Sequence, residues 1–244
     1  MTPDTAAAVA GTQEDGQRRI LHVVTNVSHY DDISHPTGLW LSELTHAFDA
    51  FAAHGYVQNI VSPSGGAAPI EPRSLKWPYF DRSARNGQAN PAIQALLAKT
   101  ARPTEIAPGD YDAIYFTGGH GVMWDFPDSA GIQAITCEIF ERGGVVAAVC
   151  HGYCGLLNTT LTNGRLLVEG RRLTGYSWLE EVLAGVAKEV PYNVQEQMRQ
   201  RGALYEKAML PFTSNVVVDG RLVTGQNPQS AKAVADAVVG LLKR

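Results

Sequence analysis

The chain has 244 residues, of which 45% are hydrophobic and 18% charged, with a formal net charge of −4 and three cysteines. A chain of this length buries a hydrophobic core without disulfides or structural metals, and α/β folds often reach it as one domain. The weak negative charge without a basic patch argues against nucleic acid and anionic membranes as partners, and no apolar run reaches the roughly 18 residues of a membrane span.

The amino-terminal segment predicts a disordered tail. Residues 1–16 are alanine-rich and then acidic, and they lack the positive start and the apolar run of a secretory signal. The sparse, odd number of cysteines suits a reducing compartment, so we expect a cytoplasmic protein. We place the tail at residues 1–19 and a single domain at residues 20–244, because no repeat or linker divides the remainder.

Short apolar runs alternate with longer amphipathic segments along the first half of this domain. The short runs predict buried strands at residues 20–25, 57–62, 111–116 and 144–149. The amphipathic segments predict helices at residues 38–54, 91–100 and 128–142. Residues 70–90 show neither pattern and are predicted to form a long loop over the edge of the sheet.

The second half continues this alternation. We expect a helix from Tyr153, paired strands within residues 165–174, a helix through Glu181 and another around residues 194–201. The Asp219-Gly220 pair is a strong turn signal that predicts a hairpin over residues 215–224, and a final helix follows Pro228. Strands that alternate with helices predict an α/β fold, with a mostly parallel sheet between helices on both faces.

Cys150 stands at a predicted turn between a strand and a helix. The apolar run 144–149 leads directly into it, and Gly152 follows in a turn of small residues. Such a turn lifts the side chain above the carboxyl edge of the sheet, where ligands bind in open α/β folds. Helix amides that point at the sulfur lower the pKa of the thiol and stabilise an oxyanion. The pattern predicts a nucleophile, and the alternative is an inert cysteine that fills space in the core.

The other two cysteines are predicted to be structural. Cys137 lies among isoleucines of the predicted helix 128–142 and is expected in the core. Cys154 follows Cys150 by one turn and is expected to pack beneath it, the alternative being a thiol that responds to oxidation.

His151 and a glycine-rich loop are predicted to lie beside Cys150. Side chains of adjacent residues diverge at a sharp turn, so the His151 imidazole need not face the sulfur, whereas its backbone amide suits an oxyanion hole. A proton shuttle and a histidine that caps the turn are the alternatives. The Gly118-Gly-His-Gly121 loop also follows a strand, and Gly119, His120 and Gly121 are predicted to bind substrate or oxyanion. Asp125, a few residues further on, is expected to be a cap or a loop anchor.

Glu43 is the candidate for proton transfer. It lies between Leu41 and Leu44 on the predicted helix 38–54, with Trp40 nearby. Apolar surroundings raise the pKa of a carboxyl group, which could then exchange protons with a substrate or a thiol. Taken alone, the residue fits a solvated glutamate on a helix surface better than a functional one.

Together these motifs resemble the ThiJ/PfpI superfamily, which is related to class I glutamine amidotransferases, and within it the branch of heat-shock chaperones and glutathione-independent glyoxalases. The matching segments cover nearly all of the chain after residue 19: Thr37–Glu43, Gly119–Gly121 with Asp125, Gly143–Gly152, Leu173–Gly175, Glu181, and Asp219–Pro228 with Ser230.

The resemblance implies a flavodoxin-like three-layer sandwich and an enzyme that converts methylglyoxal to lactate. It implies that Cys150 is the nucleophile, that Glu43 exchanges protons, and that the amides of His151 and Gly119 form the oxyanion hole. The third member of a Cys-His-acid triad would be Glu181, with Glu180 as the alternative. Relatives are commonly dimers, so a homodimer is expected.

One departure and two competing functions stay open. The branch usually has a proline after Cys-His-Gly, where this chain has Tyr153 and Cys154, and we expect these at the entrance or floor of the pocket, where they would alter substrate choice. The alternatives to a glyoxalase or deglycase are a cysteine hydrolase of amidase or peptidase type, and a redox-sensing stress chaperone. No cofactor or metal is expected, because the histidines are scattered and no dinucleotide fingerprint is present.

Overall fold

The computed structural model describes residues 16–243. The predicted tail falls mostly outside these residues, but Arg19 already belongs to the first strand, so the predicted boundary is wrong by one residue. The strands are β1 (Arg19–Val23), β2 (Val57–Val61), β3 (Ala113–Phe116), β4 (Val145–Val149), β5 (Arg172–Leu173), β6 (Leu204–Tyr205), β7 (Val216–Asp219) and β8 (Leu222–Gly225). The α-helices are α1 (Leu41–Ala52), α2 (Arg82–Ala89), α3 (Pro91–Ala98), α4 (Val122–Asp125), α5 (Ala130–Glu141), α6 (Trp178–Leu183), α7 (Val194–Gln200) and α8 (Ala231–Leu242).

Six of these strands form the central sheet, in the order β2-β1-β3-β4-β8-β7. All neighbours are parallel except β7 and β8, which form the predicted antiparallel hairpin. The mostly parallel sheet is therefore confirmed. Because β1, β3, β4 and β8 run the same way, the loops after their carboxyl ends meet at one edge of the sheet.

Side chains of alternate strand residues face two different helical layers. In β3, Ile114 and Phe116 pack in a cluster with the isoleucines of α5. Ala113 and Tyr115 point the other way, into a cluster that includes residues of α1 and α8. Both faces of the sheet are thus buried, which explains why the strands appear as continuous apolar runs and confirms the predicted three-layer α/β sandwich.

The segment 70–90, predicted as a loop, is partly helical. It contains a 3-10 turn at Pro72–Leu75 and the helix α2. This helix buries only Ala84 and Gly87, so it has no apolar stripe to detect. Its start is marked instead by Asp81, whose side chain accepts a hydrogen bond from the Ala84 amide at 3.0 Å.

Of two further predictions beyond Cys150, one is shifted and one is wrong. The helix predicted from Tyr153 is present as a 3-10 helix that begins three residues earlier and spans Cys150–Leu156. Within residues 165–174 only β5 is a strand, and it pairs in parallel with β6. Both elements of that pair are two residues long, too short to leave a periodic pattern in the sequence.

The two structural cysteines have different surroundings. Cys154 is fully buried in the cluster around α5, as expected. Cys137 is only partly buried, so its predicted place in the core is wrong. The buried stripe of α5 runs through Ile132, Ile135, Thr136 and Ile139, and Cys137 lies beside that stripe. None of the helices between residues 16 and 243 is long and apolar enough to cross a bilayer.

Candidate active site

Cys150 occupies a strained turn at the carboxyl end of β4. Its φ of 54° lies in the left-handed region, which a residue with a side chain seldom adopts. The neighbouring loop approaches this turn closely, since a Cβ atom at Gly118 would lie 2.8 Å from the Val149 oxygen and 2.9 Å from the His151 nitrogen. The strained turn holds the thiol at the edge of the sheet, as a nucleophile elbow does.

Cys150, His151 and Glu181 form a hydrogen-bonded chain. The Cys150 sulfur lies 3.4 Å from Nδ1 of His151, so the imidazole does face its neighbour's sulfur. Nε2 of His151 lies 2.7 Å from Oε2 of Glu181, in the first turn of α6. All three residues are buried. This arrangement is that of a nucleophile, a general base and an acid that orients the base.

Glu180, the alternative third member, has a different environment. Its carboxylate accepts hydrogen bonds from the Ser177 hydroxyl, the Gln226 and Asn227 side chains and the Phe212 amide. It is fully buried and holds the start of α6 against the loop before β7. Glu180 therefore anchors the helix that carries Glu181.

Glu43 approaches Cys150 from α1. Its side chain is fully buried, and its Oε2 accepts a hydrogen bond from the Gly118 amide at 2.8 Å. Burial raises the pKa of Glu43 to about 8, against the opposing effects of the Gly118 amide and the Cys150 thiol. The carboxyl group is therefore largely protonated at neutral pH, and the second oxygen, Oε1, is buried with no hydrogen-bond partner among the described residues.

The pKa of Cys150 is raised, contrary to the predicted lowering. Burial raises it first and the nearby Glu43 carboxyl second, while the His151 backbone amide lowers it. The turn thus supplies the expected amide, but desolvation outweighs it. A thiol in this state needs a base to accept its proton as it reacts. Nδ1 of His151, 3.4 Å from the sulfur, is placed to accept that proton.

His120 contacts Glu181 from the other side. Its Nε2 lies 2.7 Å from Oε1 of Glu181, and its Nδ1 lies 3.0 Å from Nη2 of Arg73. Both ring nitrogens of His120 thus have hydrogen-bond partners within the protein, and the residue also lines the pocket above Cys150. Burial raises the pKa of Glu181, but the contacts with His151 and His120 outweigh it and bring that pKa well below its usual range.

Arg73 was not identified from the sequence. It lies in the 3-10 turn at Pro72–Leu75, and its Nε donates to Oε1 of Glu71 at 3.0 Å. Glu71 is buried and also accepts a hydrogen bond from the Thr37 hydroxyl at 2.8 Å. Nothing in the sequence of residues 70–90 distinguishes Arg73 from a surface arginine, because its contact with His120 depends on tertiary packing.

The pocket above Cys150 is small, aromatic and uncharged. Its volume is about 350 Å³ with its mouth included. None of the residues that line it in the described chain is an aspartate, glutamate, lysine or arginine; they are Trp40, Tyr79, Gly119, His120, Cys150, His151, Tyr176, Phe212, Pro228 and Gln229. Such walls accept a small neutral molecule and offer no ion pair to a charged one.

Three predicted neighbours of the pocket lie elsewhere. Gly121 faces the loop after β1, where a Cβ atom would lie 2.7 Å from the Val27 oxygen. Tyr153 and Cys154 are fully buried below the turn, and neither lines the pocket. Tyr153 acts on the pocket only indirectly, because its hydroxyl donates to the backbone oxygen of Tyr176 at 2.8 Å. Asp125 anchors the loop after β1, as expected, by accepting hydrogen bonds from Thr25 and Asn26.

His120, His151 and Glu181 also have the composition of a metal site with two histidines and one carboxylate. One ligand atom from each lies within 4.8 Å of the others. Each histidine Nε2 already makes a 2.7 Å hydrogen bond to Glu181, however. The geometry therefore suits a chain of proton donors and acceptors.

Comparison with known proteins gives relatives of nearly the same length. A glutathione-independent glyoxalase of Saccharomyces cerevisiae, HSP31, is 33% identical over 235 residues, which cover 91% of this chain and 98% of the relative. The crystal structure of glyoxalase III from Candida albicans is similar with a TM-score of 0.85 at 28% identity, and covers 92% of this chain and 97% of its own.

A second solved structure extends the similarity to bacteria. The rapid encystment protein of 24 kDa from Francisella tularensis has a TM-score of 0.88 and 34% identity, over 93% of this chain and 99% of its own. The model of the DJ-1/PfpI family matches residues 37–241. This range includes the site residues Glu43, Cys150, His151 and Glu181. The chain belongs to the DJ-1/PfpI family.

Proposed function

We propose that this protein is a glutathione-independent glyoxalase that converts methylglyoxal to lactate through a covalent adduct on Cys150. The observation that carries the proposal is the placement of two glutamates around one buried thiol. Glu181 supports His151 at 2.7 Å, and Glu43 lies against the sulfur from α1 with its proton held at neutral pH. The relatives named glyoxalase in yeasts support the same reaction.

The first step uses the triad. His151 Nδ1 accepts the thiol proton as the Cys150 sulfur attacks the aldehyde carbon of methylglyoxal and forms the C–S bond. The electron pair of the carbonyl moves to its oxygen, which takes a proton from Glu43 and gives a neutral hemithioacetal. In this step the former aldehyde oxygen lies beside the backbone amides of Gly119 and His151, which are two of the residues that line the pocket.

The second step moves a hydrogen between adjacent carbons. The Glu43 carboxylate removes the proton from the former aldehyde carbon, and the ketone oxygen takes a proton from His151 to give an enediol. Glu43 returns a proton to the neighbouring carbon and takes up the hydroxyl proton of the former aldehyde carbon, which leaves a lactoyl thioester, a neutral His151 and a protonated Glu43. This is an internal redox change, so it needs no external oxidant or reductant.

Hydrolysis completes the reaction. His151 removes a proton from water as the water oxygen attacks the thioester carbon, and the C–S bond breaks as Cys150 regains a proton. A cysteine hydrolase would need only the attack of Cys150 and the hydrolysis, both of which use the triad. An isomerisation also needs a second acid–base group, and the buried, protonated Glu43 in contact with the thiol can supply it, which is why we favour the glyoxalase over the hydrolase.

Glu43→Gln tests this distinction. We expect lactate formation from methylglyoxal to fall by about a hundredfold or more, because general acid–base transfer typically contributes this much. Glu138→Gln, which changes an exposed glutamate of α5, is the matched control. Lactate formation by Glu43→Gln at the wild-type rate would contradict the proposal.

A further inference from the structure

Arg73 connects the protein surface to the buried acid of the triad. Its guanidinium is partly exposed, while its partners Glu71 and His120 are buried. Nη2 of Arg73 lies 3.0 Å from Nδ1 of His120 and also contacts the Tyr30 hydroxyl. A guanidinium carries only donors, so in this contact Arg73 donates and Nδ1 of His120 accepts.

This contact determines which nitrogen of His120 carries the proton. Burial lowers the pKa of His120 to about 4, so the ring is neutral at pH 7 and has one N–H. With Nδ1 as the acceptor, the proton is on Nε2, which therefore donates to Oε1 of Glu181 at 2.7 Å. Glu181 then needs no proton of its own to satisfy this hydrogen bond.

The same reasoning about donors and acceptors applies to the contacts that connect Glu181 with His151 and His151 with the Cys150 thiol. Because Glu181 is an acceptor on both oxygens, Nε2 of His151 donates to Oε2 at 2.7 Å. In the tautomer of His151 that carries its proton on Nε2, the lone pair is on Nδ1, which faces the Cys150 sulfur at 3.4 Å. With the opposite tautomer of His120, Glu181 would have to hold a proton to donate to Nε2, and a neutral Glu181 would support a protonated His151 poorly.

We propose that Arg73 and His120 are positioning residues, which fix the tautomers of the chain from His120 through Glu181 to His151 and so keep Nδ1 of His151 free to accept the Cys150 proton. The proposal extends the proposed function, because it explains how the base of that reaction is set. Arg73 does not line the pocket, so it acts on a substrate only through the residues that it contacts.

The tautomers can be read directly by nitrogen-15 NMR of the histidine rings. We expect His120 and His151 to carry their protons on Nε2 in the wild type, with their signals assigned from His120→Gln and His151→Gln. Arg73→Met should shift His120 toward protonation at Nδ1, and Arg73→Lys, which retains a charged donor, should restore the wild-type pattern. A wild-type His120 protonated at Nδ1 would overturn the proposal.

The reactivity of Cys150 tests the consequence without any substrate. We expect its alkylation by iodoacetamide, followed by peptide mass spectrometry, to slow by about tenfold or more in Arg73→Met and to recover in Arg73→Lys, a range typical of lost supporting contacts around a reactive centre. Two cysteines of the same molecule are internal controls. The half-buried Cys137 should react unchanged, and the buried Cys154 should stay protected if the fold is intact.

Loss of Arg73 leaves Glu71 a buried carboxylate with Thr37 as its remaining side-chain partner, which destabilises the fold. The double variant Arg73→Met with Glu71→Gln removes that charge. It should slow the alkylation of Cys150 to the same extent as Arg73→Met alone. If both variants keep Cys154 protected and alkylate Cys150 at the wild-type rate, the proposal is wrong.

Turnover separates this proposal from the function on which it rests. With methylglyoxal, we expect Arg73→Met to lower kcat by about ten- to a hundredfold with KM within about threefold of the wild type. An equal loss through KM would contradict a positioning role. If the wild type forms no lactate while the tautomers and the alkylation rates behave as described, the glyoxalase function fails and the role of Arg73 stands.

Discussion

At the residue scale, the proposed reaction depends on two buried carboxyl groups whose pKa values are shifted in opposite directions. Burial has the largest effect on the Glu43 carboxyl and raises its pKa to about 8. Glu181 is also buried, but two histidines offset the desolvation and keep it ionised. One carboxyl can therefore give up a proton at neutral pH while the other orients His151, a division of roles that environment alone produces.

The raised pKa of Glu43 predicts a loss of activity at high pH. We expect kcat/KM for methylglyoxal to fall as the pH rises through about 8, because Glu43 then loses the proton that it gives to the hemithioacetal oxygen. The measurement is a pH profile of kcat/KM for the wild type and for Glu43→Gln. The fall of kcat/KM above about pH 8 should be missing from the residual activity of Glu43→Gln. A wild-type profile that stays flat up to pH 9 would contradict the role of Glu43 as the proton donor.

A second prediction at this scale concerns the close approach of the two loops. Gly118→Ala would place a Cβ atom 2.7 Å from Oε2 of Glu43 and 2.8 Å from the Val149 oxygen. We expect this variant to displace Glu43 and lower kcat by at least about tenfold, while thermal unfolding shows a folded protein. Gly240→Ala, on the exposed face of α8, is the matched control for space, since a Cβ atom there meets nothing within 4 Å and its φ is not positive. An active Gly118→Ala would show that the loops separate easily.

At the element scale, the site is assembled from turns whose ends are fixed by short helices. The region 70–90 supplies Arg73 and Tyr79 to the site, and its helix α2 is held by its N-cap, Asp81. Asp81 also contacts Nε2 of His46 on α1 at 2.6 Å. The cap therefore ties this region to the helix that carries Glu43.

Asp81→Ala should destabilise the fold modestly. Loss of an N-cap costs about 1 kcal/mol, which for a chain of this size lowers Tm by about 2–4 °C. Asp81→Asn keeps an acceptor for the Ala84 amide and should lie close to the wild type. The test is calorimetry of both variants, and equal melting temperatures for the wild type and Asp81→Ala would mean that α2 is not held by this cap.

The same region shows where prediction from the sequence ends. Strands β1 to β4 were predicted to within about two residues, because strands buried on both faces are continuous apolar runs. The turn at Cys150 could be found from its strand and its glycines, and Glu43 from its apolar neighbours. Helix α2 has no such pattern, and the role of Arg73 depends on a contact with His120, 47 residues away. Only the folded chain brings those side chains together.

At the scale of the whole molecule, the core contains a histidine that links stability to pH. His22 in β1 is fully buried, stacks on Phe48 and contacts Oε1 of Gln58 at 2.8 Å. Burial lowers its pKa from 6.5 to about 4, although the Gln58 contact partly opposes this. The unfolded chain therefore binds a proton at His22 between pH 6.5 and 4, where the folded chain does not.

This difference predicts acid sensitivity with a defined sign. The free energy of unfolding should be independent of His22 above pH 6.5 and fall by up to about 1.4 kcal/mol per pH unit from this residue as the pH drops toward 4. Urea unfolding at several pH values measures the slope. His22→Gln keeps a hydrogen-bonding group beside Gln58 but does not titrate, and its slope should be shallower. An unchanged slope would place the acid sensitivity in other groups.

The whole fold brings β3, β4 and the start of α1 to one edge of the sheet, so that Cys150 and His151 line a small pocket and the protonated Glu43 carboxyl contacts the thiol. The most direct test is the yield of lactate from methylglyoxal with the purified full-length chain in the absence of glutathione. We expect the wild type and Cys137→Ser to form one lactate for each methylglyoxal consumed, and Cys150→Ser to form none. A wild type that forms no lactate, or a Cys150→Ser variant that matches it, would contradict a glyoxalase reaction on Cys150.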